Sequence, residues 1–188
     1  MTDSTPRIPP LEPPFAGDLQ ALLTKMTPPA APNILALFRV LARHPALAER
    51  MTAVGGLLLG RQAQLSLRDR EVVIDRVCAR CGAEYEWGVH VAAFAAAAGF
   101  SAGQTRAIAD PAVDDAALTE RDRLLVQLAD ELHDTSTVSD GLWRQLGATW
   151  SEAQCIELLV LAGWYHAISY VCNAAQVPLE PWAARFAA

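Results

Sequence analysis

Residues 66–101 read SLRDREVVIDRVCARCGAEYEWGVHVAAFAAAAGFS, and this stretch decides the fold. Ser66, followed three residues later by an acidic residue, is a loose capping box, which predicts that a helix begins there. Gly82 predicts the end of that helix, because glycine is common just after a helix C-terminus. A second helix is predicted from about Glu84 to Gly99. The stretch is therefore interpreted as a helical hairpin that turns near Gly82.

The rest of the chain shows the same helical pattern. Alanine is abundant, and the alternation of apolar and polar residues that is typical of strands is hard to find. We therefore expect an all-α fold built around the central hairpin. Further helices are predicted over about 33–44, 45–60, 101–109, 119–132, 139–146 and 151–176.

The organisation follows from composition. Residues 1–14 hold five of the twelve prolines, which predicts an extended or partly disordered arm. Residues 15–188 are expected to form a single helical domain, because 188 residues with 52% hydrophobic content suffice for one sizeable core. The long helix near the C-terminus is apolar almost all round, so we expect it to be buried in the core or against a second copy of the chain.

Charge and apolar patterning exclude several classes of partner. A net charge of −6, with no cluster of basic residues, argues against nucleic acid. The best apolar stretch carries Glu157 and His166, so we expect no membrane span. The N-terminus does not resemble a secretory signal, which leads us to expect a cytoplasmic protein whose four cysteines are thiols.

Glu86 and His90 are the first candidates for chemistry. They lie four residues apart on the second helix of the hairpin and therefore share a face. Glu71 comes nineteen residues before His90 on the preceding helix, and an antiparallel hairpin can bring the two faces together. A pair like Glu86 and His90 is often only a surface contact, but the apolar flanks predict burial. The sequence thus predicts two carboxylates and one imidazole in an apolar crevice, where one acid and one base can coexist.

Cys78 and Cys81 are the alternative, as a thiol redox site. They lie at the C-terminal end of the predicted first helix, where the helix dipole raises thiol pKa values. A metal site is not expected, because no second C-x-x-C or nearby H-x-x-x-H completes four ligands. No cofactor is expected either. The default interpretation of both cysteines is that they are small buried residues.

Three further residues are candidates for the surroundings of this site. Tyr85 and Trp87 flank Glu86 and could face a substrate, although aromatic residues here are more often packing residues. His166 lies beside Tyr165 in the long apolar helix, and we consider it as a residue behind the site. Core packing is the default for all three.

The motifs RDREVVIDRV and EYEWGVHVAAFAAAAGFS resemble the carboxymuconolactone decarboxylase family, whose core reads approximately R-E, then Y-E-[LW]-x-x-H, an alanine-rich stretch and G-[LFV]-[ST]. The similarity is closest over residues 66–109. The family also includes AhpD-like alkylhydroperoxidases. The resemblance implies an all-helical, AhpD-like bundle that assembles as a homo-oligomer.

The resemblance also bears on the reaction. The peroxidase branch of the family has E, then C-x-x-C-x-x-x-H, and its two thiol positions fall here on Ala83 and Glu86. The decarboxylase branch has Y-E before the histidine, as here, which implies that Glu71, Glu86 and His90 are the acid–base set. The expected substrate is a small carboxylated or lactone-type molecule. The alternatives are a thiol peroxidase that uses Cys78 and Cys81, and a non-catalytic oligomer that binds a small ligand.

Overall fold

The computed structural model describes residues 5–28, 31–110 and 117–186, and every regular element within them is an α-helix. The all-α prediction is confirmed. The helices in these ranges are α1 (Gly17–Met26), α2 (Ala36–Leu41), α3 (Pro45–Leu59), α4 (Leu67–Arg80), α5 (Glu84–Phe94), α6 (Ala102–Ala109), α7 (Glu120–Thr135), α8 (Asp140–Thr149) and α9 (Glu152–Ala175).

Most helix starts lie close to where the sequence predicts them. At five of them the side-chain oxygen of the N-cap residue accepts a hydrogen bond from the backbone N–H three residues later, which satisfies a donor that the helix itself leaves free. Helices α4, α6, α7, α8 and α9 begin in this way after Ser66, Ser101, Thr119, Ser139 and Ser151. Pro45 occupies the first turn of α3, also as predicted.

Some boundaries differ from the prediction. Helix α5 ends at Phe94, and the chain continues to Gly99 as hydrogen-bonded turns. Gly82 and Gly99 both have positive φ, +59° and +74°, which is why glycine ends these two segments. Helix α8 runs three residues beyond Leu146, and α1 lies in a region for which the sequence pattern predicts no helix.

Helix α4 is the central helix, and all of its residues from Glu71 to Cys78 are buried. Ion pairs join it to α7 at a constant spacing of 54 residues: Arg68–Asp122, Arg76–Asp130 and Arg80–Asp134. A constant spacing means that the two helices run parallel. We call these three pairs, together with Asp69–Arg121, the arginine ladder.

Helix α9 also runs parallel to α4. At its start, Glu157 accepts hydrogen bonds from the backbone N–H groups of Gln64 and Leu65, and at its end Asn173 donates to the carbonyl of Cys81. Among the described residues, α9 is the one helix long and apolar enough to cross a membrane. Half of the most apolar part of this helix is buried inside the protein, and core helices of soluble proteins can be equally long and apolar.

The chain ends lie along the bundle. In residues 5–14 there is no helix, and backbone N–H groups of this segment donate to carbonyls of Arg39 and Ala175; residues 1–4 of the predicted arm lie outside the described ranges. The C-terminal segment lies on α5, where Ala184 donates to the carbonyl of Gly88. A Cβ at position 88 would collide with the carbonyl oxygen of Ala184, so glycine permits this close approach.

Candidate active site

His90 lies at the centre of a buried polar group formed by α4, α5 and α9. Its Nδ1 is 2.8 Å from Oε2 of Glu71, and its Nε2 is 3.0 Å from the hydroxyl of Tyr165. Glu86, one turn earlier on α5, places Oε1 3.6 Å from Nε2. The structure thus brings together Glu71, Glu86 and His90, the three residues that the sequence singles out, and adds Tyr165.

The electrostatics of the group favour a charged imidazole. Burial alone lowers the pKa of His90, but the adjacent carboxylate of Glu71, and then Glu86, outweigh burial and raise it from 6.5 to about 10. At neutral pH His90 is therefore an imidazolium. Its Nδ1–H donates to Glu71, and its Nε2–H faces Tyr165 and Glu86.

Asp75 is a third carboxyl group near His90, and the sequence pattern did not single it out. It lies one turn after Glu71 on α4, it is 1% exposed, and neither carboxyl oxygen has a hydrogen-bond partner among the described residues. Burial, and then the charge of Glu71, raise the pKa of Asp75 well above its usual value. Burial therefore favours the neutral, protonated form of Asp75. Its spacing from Glu71 was the available signal, because residues four apart share a helix face.

Tyr165 contributes the one neutral hydroxyl in contact with His90 among the described side chains. Its ring meets the imidazole edge-on, with centroids 5.1 Å apart. Burial, and then the charge of Glu86, raise the pKa of Tyr165 well above its usual value, so the hydroxyl keeps its proton. It can donate or accept beside Nε2.

One wall of this group borders a cavity of about 410 Å³. The cavity lies between helices α1 to α3 on one side and α5 and α9 on the other, and its lining is mostly apolar. The polar side chains on the inner wall are Glu86, His90 and Tyr165. The apolar lining residues include Met26, Leu37, Phe38, Leu41, Met51, Leu59, Val89, Phe94, Trp164 and Ile168.

Lys25 is the one basic residue among the described residues that line the cavity, apart from His90, and it is the only lysine in the sequence. The arginines near the motif are engaged elsewhere. Arg68 and Arg76 belong to the arginine ladder, and Arg70 donates to carbonyls of Leu58 and Gly60. Apart from His90, Lys25 is therefore the cationic side chain available at the cavity for a substrate carboxylate.

The two cysteines of the alternative redox site lie behind the cavity wall. Both are free thiols; Cys78 is fully buried and Cys81 is partly exposed. Burial raises the pKa of each thiol, for Cys78 well above its usual value with Glu86 as a further cause. Neither cysteine lines the cavity, and neither environment favours the thiolate that a peroxidatic cysteine needs.

The three residues considered for the surroundings of the site do not line the cavity either. The hydroxyl of Tyr85 donates to Glu180 and accepts from the N–H of Leu37, which fastens the C-terminal segment and α2 to α5. Trp87 packs against Phe186, with ring centroids 4.8 Å apart. His166, the residue after Tyr165 on α9, points towards α7 and contacts His133.

Comparison with known proteins agrees with the fold and the motif. No curated protein matches the sequence significantly. A peroxidase-related protein of uncharacterised function from Silicibacter sp. TM1040 has a similar crystal structure, with a TM-score of 0.80, 16% sequence identity and 96% of each chain covered. At this identity the likeness shows the fold alone. Residues 45–126 match the model of the carboxymuconolactone decarboxylase family. This segment contains Glu71, Glu86 and His90, so the similarity to the carboxymuconolactone decarboxylase family covers the candidate active site.

Proposed function

We propose that this protein is an acid–base enzyme that decarboxylates or isomerises a small, largely apolar molecule bearing a carboxylate or lactone group. The observation that carries the proposal is the position of His90. It is paired with Glu71 on the protein side and lies on the wall of an apolar cavity beside Glu86 and Tyr165. A proton donor held in this way is what a carbanion-forming reaction requires.

In a decarboxylation, the C–C bond to the substrate carboxylate breaks and CO2 leaves. The bonding electron pair passes into the adjacent carbonyl and forms an enolate, which the hydroxyl of Tyr165 can stabilise by donating a hydrogen bond. The imidazolium of His90 then delivers the Nε2 proton to the carbon that lost CO2, and a solvent proton restores the imidazolium. Glu71 holds the ring in place through Nδ1, and its negative charge favours return of the imidazole to the charged form after the proton has been delivered.

The cavity supports the choice of substrate class. Its apolar lining favours burial of a hydrocarbon or ring skeleton, while Lys25 offers an ammonium group to a carboxylate. Glu86 lies on the same wall as His90 and repels an anion from that end of the cavity. We therefore expect a substrate whose carboxylate either lies towards Lys25 or leaves as CO2 in the first step of the reaction.

Solvent-proton exchange tests the proposal with a panel of model compounds, so the natural substrate itself is not required. The protein is incubated in D2O with small lactone acids that include carboxymuconolactone, and mass spectrometry records deuterium incorporation and CO2 loss. We expect turnover with at least one compound, its loss in His90→Gln, and its retention in Cys78→Ser. Turnover that persists unchanged in His90→Gln contradicts the proposal.

A thiol peroxidase is the second candidate, and it is favoured by the peroxidase-related description of the structural neighbour. Thiol titration before and after exposure to an alkyl hydroperoxide distinguishes the two. The peroxidase hypothesis requires loss of free thiols together with peroxide consumption that Cys78→Ser or Cys81→Ser removes. Ligand retention in the cavity, with neither turnover nor thiol loss, would instead support the non-catalytic binding hypothesis.

We also infer that the chain forms homo-oligomers through α9. Ile156, Val160 and Tyr170 lie on one exposed stripe of this helix, with 62%, 48% and 65% of their surface accessible. Contiguous apolar surface on a helix of this length is typical of an interface. Light scattering should give a mass of two or more chains, and Val160→Glu should lower it; a monomeric mass for the unmodified protein contradicts the inference.

A further inference from the structure

A second group of ligand-type side chains lies outside the candidate active site, at the C-terminal ends of α4 and α7. Cys81, His133 and His166 each direct one ligand atom to a common point, and these atoms all lie within 4.8 Å of one another. Nδ1 of His133 is 3.0 Å from Nε2 of His166 and 4.0 Å from Sγ of Cys81. All three residues are partly exposed, so the point is accessible to an ion from solvent.

The arginine ladder explains why these residues meet. Asp69 and Arg121 pair across α4 and α7 at a spacing of 52 residues, and Cys81 and His133 face each other at the same spacing, twelve residues further along both helices. Helix α9 adds His166, which points to a different side of that helix from Tyr165 and contacts His133. Asn173 donates to the carbonyl of Cys81 and so fixes the end of α4 against α9.

We propose that Cys81, His133 and His166 bind a divalent transition-metal ion of the zinc class, with a fourth position open to water. One thiolate and two imidazoles are a donor set that zinc prefers, and three protein ligands with one open position are typical of zinc sites that also bind a solvent molecule.

The distances are close to those of a tetrahedral site. Zinc–nitrogen and zinc–sulfur bonds of about 2.05 and 2.3 Å place two nitrogens about 3.3 Å apart, and nitrogen and sulfur about 3.6 Å apart. The corresponding separations here are 3.0 and 4.0 Å. The third pair, the ligand atoms of Cys81 and His166, lies within 4.8 Å, so these two atoms must approach by up to about 1.2 Å to complete the geometry. Side-chain rotation can supply this movement because the three residues are only partly buried.

The local charges are compatible with a cation. Cys81 is the C-cap of α4 and His133 lies in the last turn of α7, where the helix dipoles favour positive charge. The nearest guanidinium, that of Arg80, is paired with Asp130 and Asp134. The expectation of no metal site rested on ligands close together in the chain, whereas these are 52 and 33 residues apart.

Metal titration of the chelator-treated, full-length protein tests the proposal, with zinc and cobalt(II) salts as probes. We expect one equivalent of metal per chain and, with cobalt, a thiolate-to-metal charge-transfer band. Cys81→Ser should abolish the band, and His133→Gln and His166→Gln should each weaken metal binding at least about tenfold. Circular dichroism of the metal-free variants checks that each is folded. If Cys81→Ser is not folded, metal binding by the two histidine variants tests the proposal instead.

Matched controls come from elsewhere in the chain. Cys155→Ala removes a thiol at the start of α9, and His44→Asn replaces an exposed histidine with another residue that can cap α3. Both should bind metal as the unmodified protein does. Binding below one equivalent, or equal affinity in Cys81→Ser and the controls, overturns the proposal.

Discussion

The two sides of α4 treat buried carboxyl groups in opposite ways. Towards α7, Asp69 is paired with Arg121 at 2.7 Å and also accepts a hydrogen bond from the indole of Trp150. Towards α5 and α9, Asp75 has no hydrogen-bond partner among the described residues, and Glu71 pairs with the imidazole of His90. An arginine cannot release its proton at physiological pH, whereas an imidazole can. The first side holds fixed charges, and the second holds protons that can move.

The two sides should therefore respond to pH with opposite signs. Burial alone raises the pKa of Asp69, but Arg121 and Trp150 outweigh it and lower the pKa below 3.8, so this stabilisation is present above that value and is lost as pH falls. The pKa of His90 is raised from 6.5 to about 10. The contribution of His90 to the free energy of unfolding is therefore complete below pH 6.5 and is lost as pH rises towards 10.

The largest expected effect is on activity. His90→Gln keeps the size and polarity of the side chain but removes the proton that the reaction uses, so kcat/KM should fall about 10²- to 10⁴-fold. The measurement is turnover of whichever panel compound the unmodified protein converts. His44→Asn, at the start of α3, is the matched histidine control and should leave the rate unchanged. A fall of less than about tenfold would contradict the role of His90.

Breaking the arginine ladder should affect stability instead. Arg76 is 1% exposed and pairs with Asp130 through two hydrogen bonds of 2.7 Å. Arg76→Met leaves the Asp130 carboxylate without its main partner, and the free energy of unfolding should fall by about 3–5 kcal/mol. Urea denaturation measures this loss, and Arg144→Met on the exposed side of α8 is the control. Equal stability of the two variants would show that the ladder is not structural.

The sequence predicts the fold well where the signal is local. Caps such as Ser66 and Ser151, and glycines such as Gly82, act within a few residues, so they are visible in a single sequence. The grouping of Glu71 and His90 could likewise be predicted, because one short turn joins their helices. Helix α1 lacks such a signal, because its N-cap, Ala16, makes no side-chain hydrogen bond.

The rest of the site depends on contacts across the bundle. Tyr165 reaches His90 over 75 residues of sequence, and Lys25 reaches the cavity from α1. Nothing near either residue in the chain indicates its position. The ligands of the proposed metal site are similar, since their meeting depends on the register of α4 against α7 and α9. Packing between distant helices, rather than local pattern, decides these placements.

Asp75→Asn sharpens the contrast between the two sides of α4. Because burial favours the protonated form of Asp75 in the folded protein, whereas the unfolded chain loses this proton near the usual pKa of an aspartate, stability should fall by up to about 1.4 kcal/mol per pH unit above that pKa. The amide of the variant has no proton to lose, so this part of the slope should vanish. Thermal unfolding between pH 5 and 8 measures the slope. Asp69→Asn should show the same slope of stability against pH as the unmodified protein in this range. Equal slopes in all three proteins would contradict the assignment of a bound proton to Asp75.

The smallest effect is expected at Lys25. Its side chain is exposed at the cavity, so an ion pair with a substrate carboxylate is worth little, and Lys25→Met should raise KM for an anionic substrate by up to about fivefold. The KM of an uncharged ester analogue should not change. Equal effects on both compounds would show that Lys25 contributes packing rather than charge.

The protonation state of His90 is the most direct test of the proposed acid–base site, and NMR titration of the imidazole ring nitrogens measures it without any substrate. We predict that the His90 ring stays doubly protonated through neutral pH and titrates near pH 10, and that Glu71→Gln lowers its pKa. A His90 ring that loses its proton at or below about pH 6.5 in the unmodified protein would contradict the central claim, because no charged acid would then lie at the cavity wall.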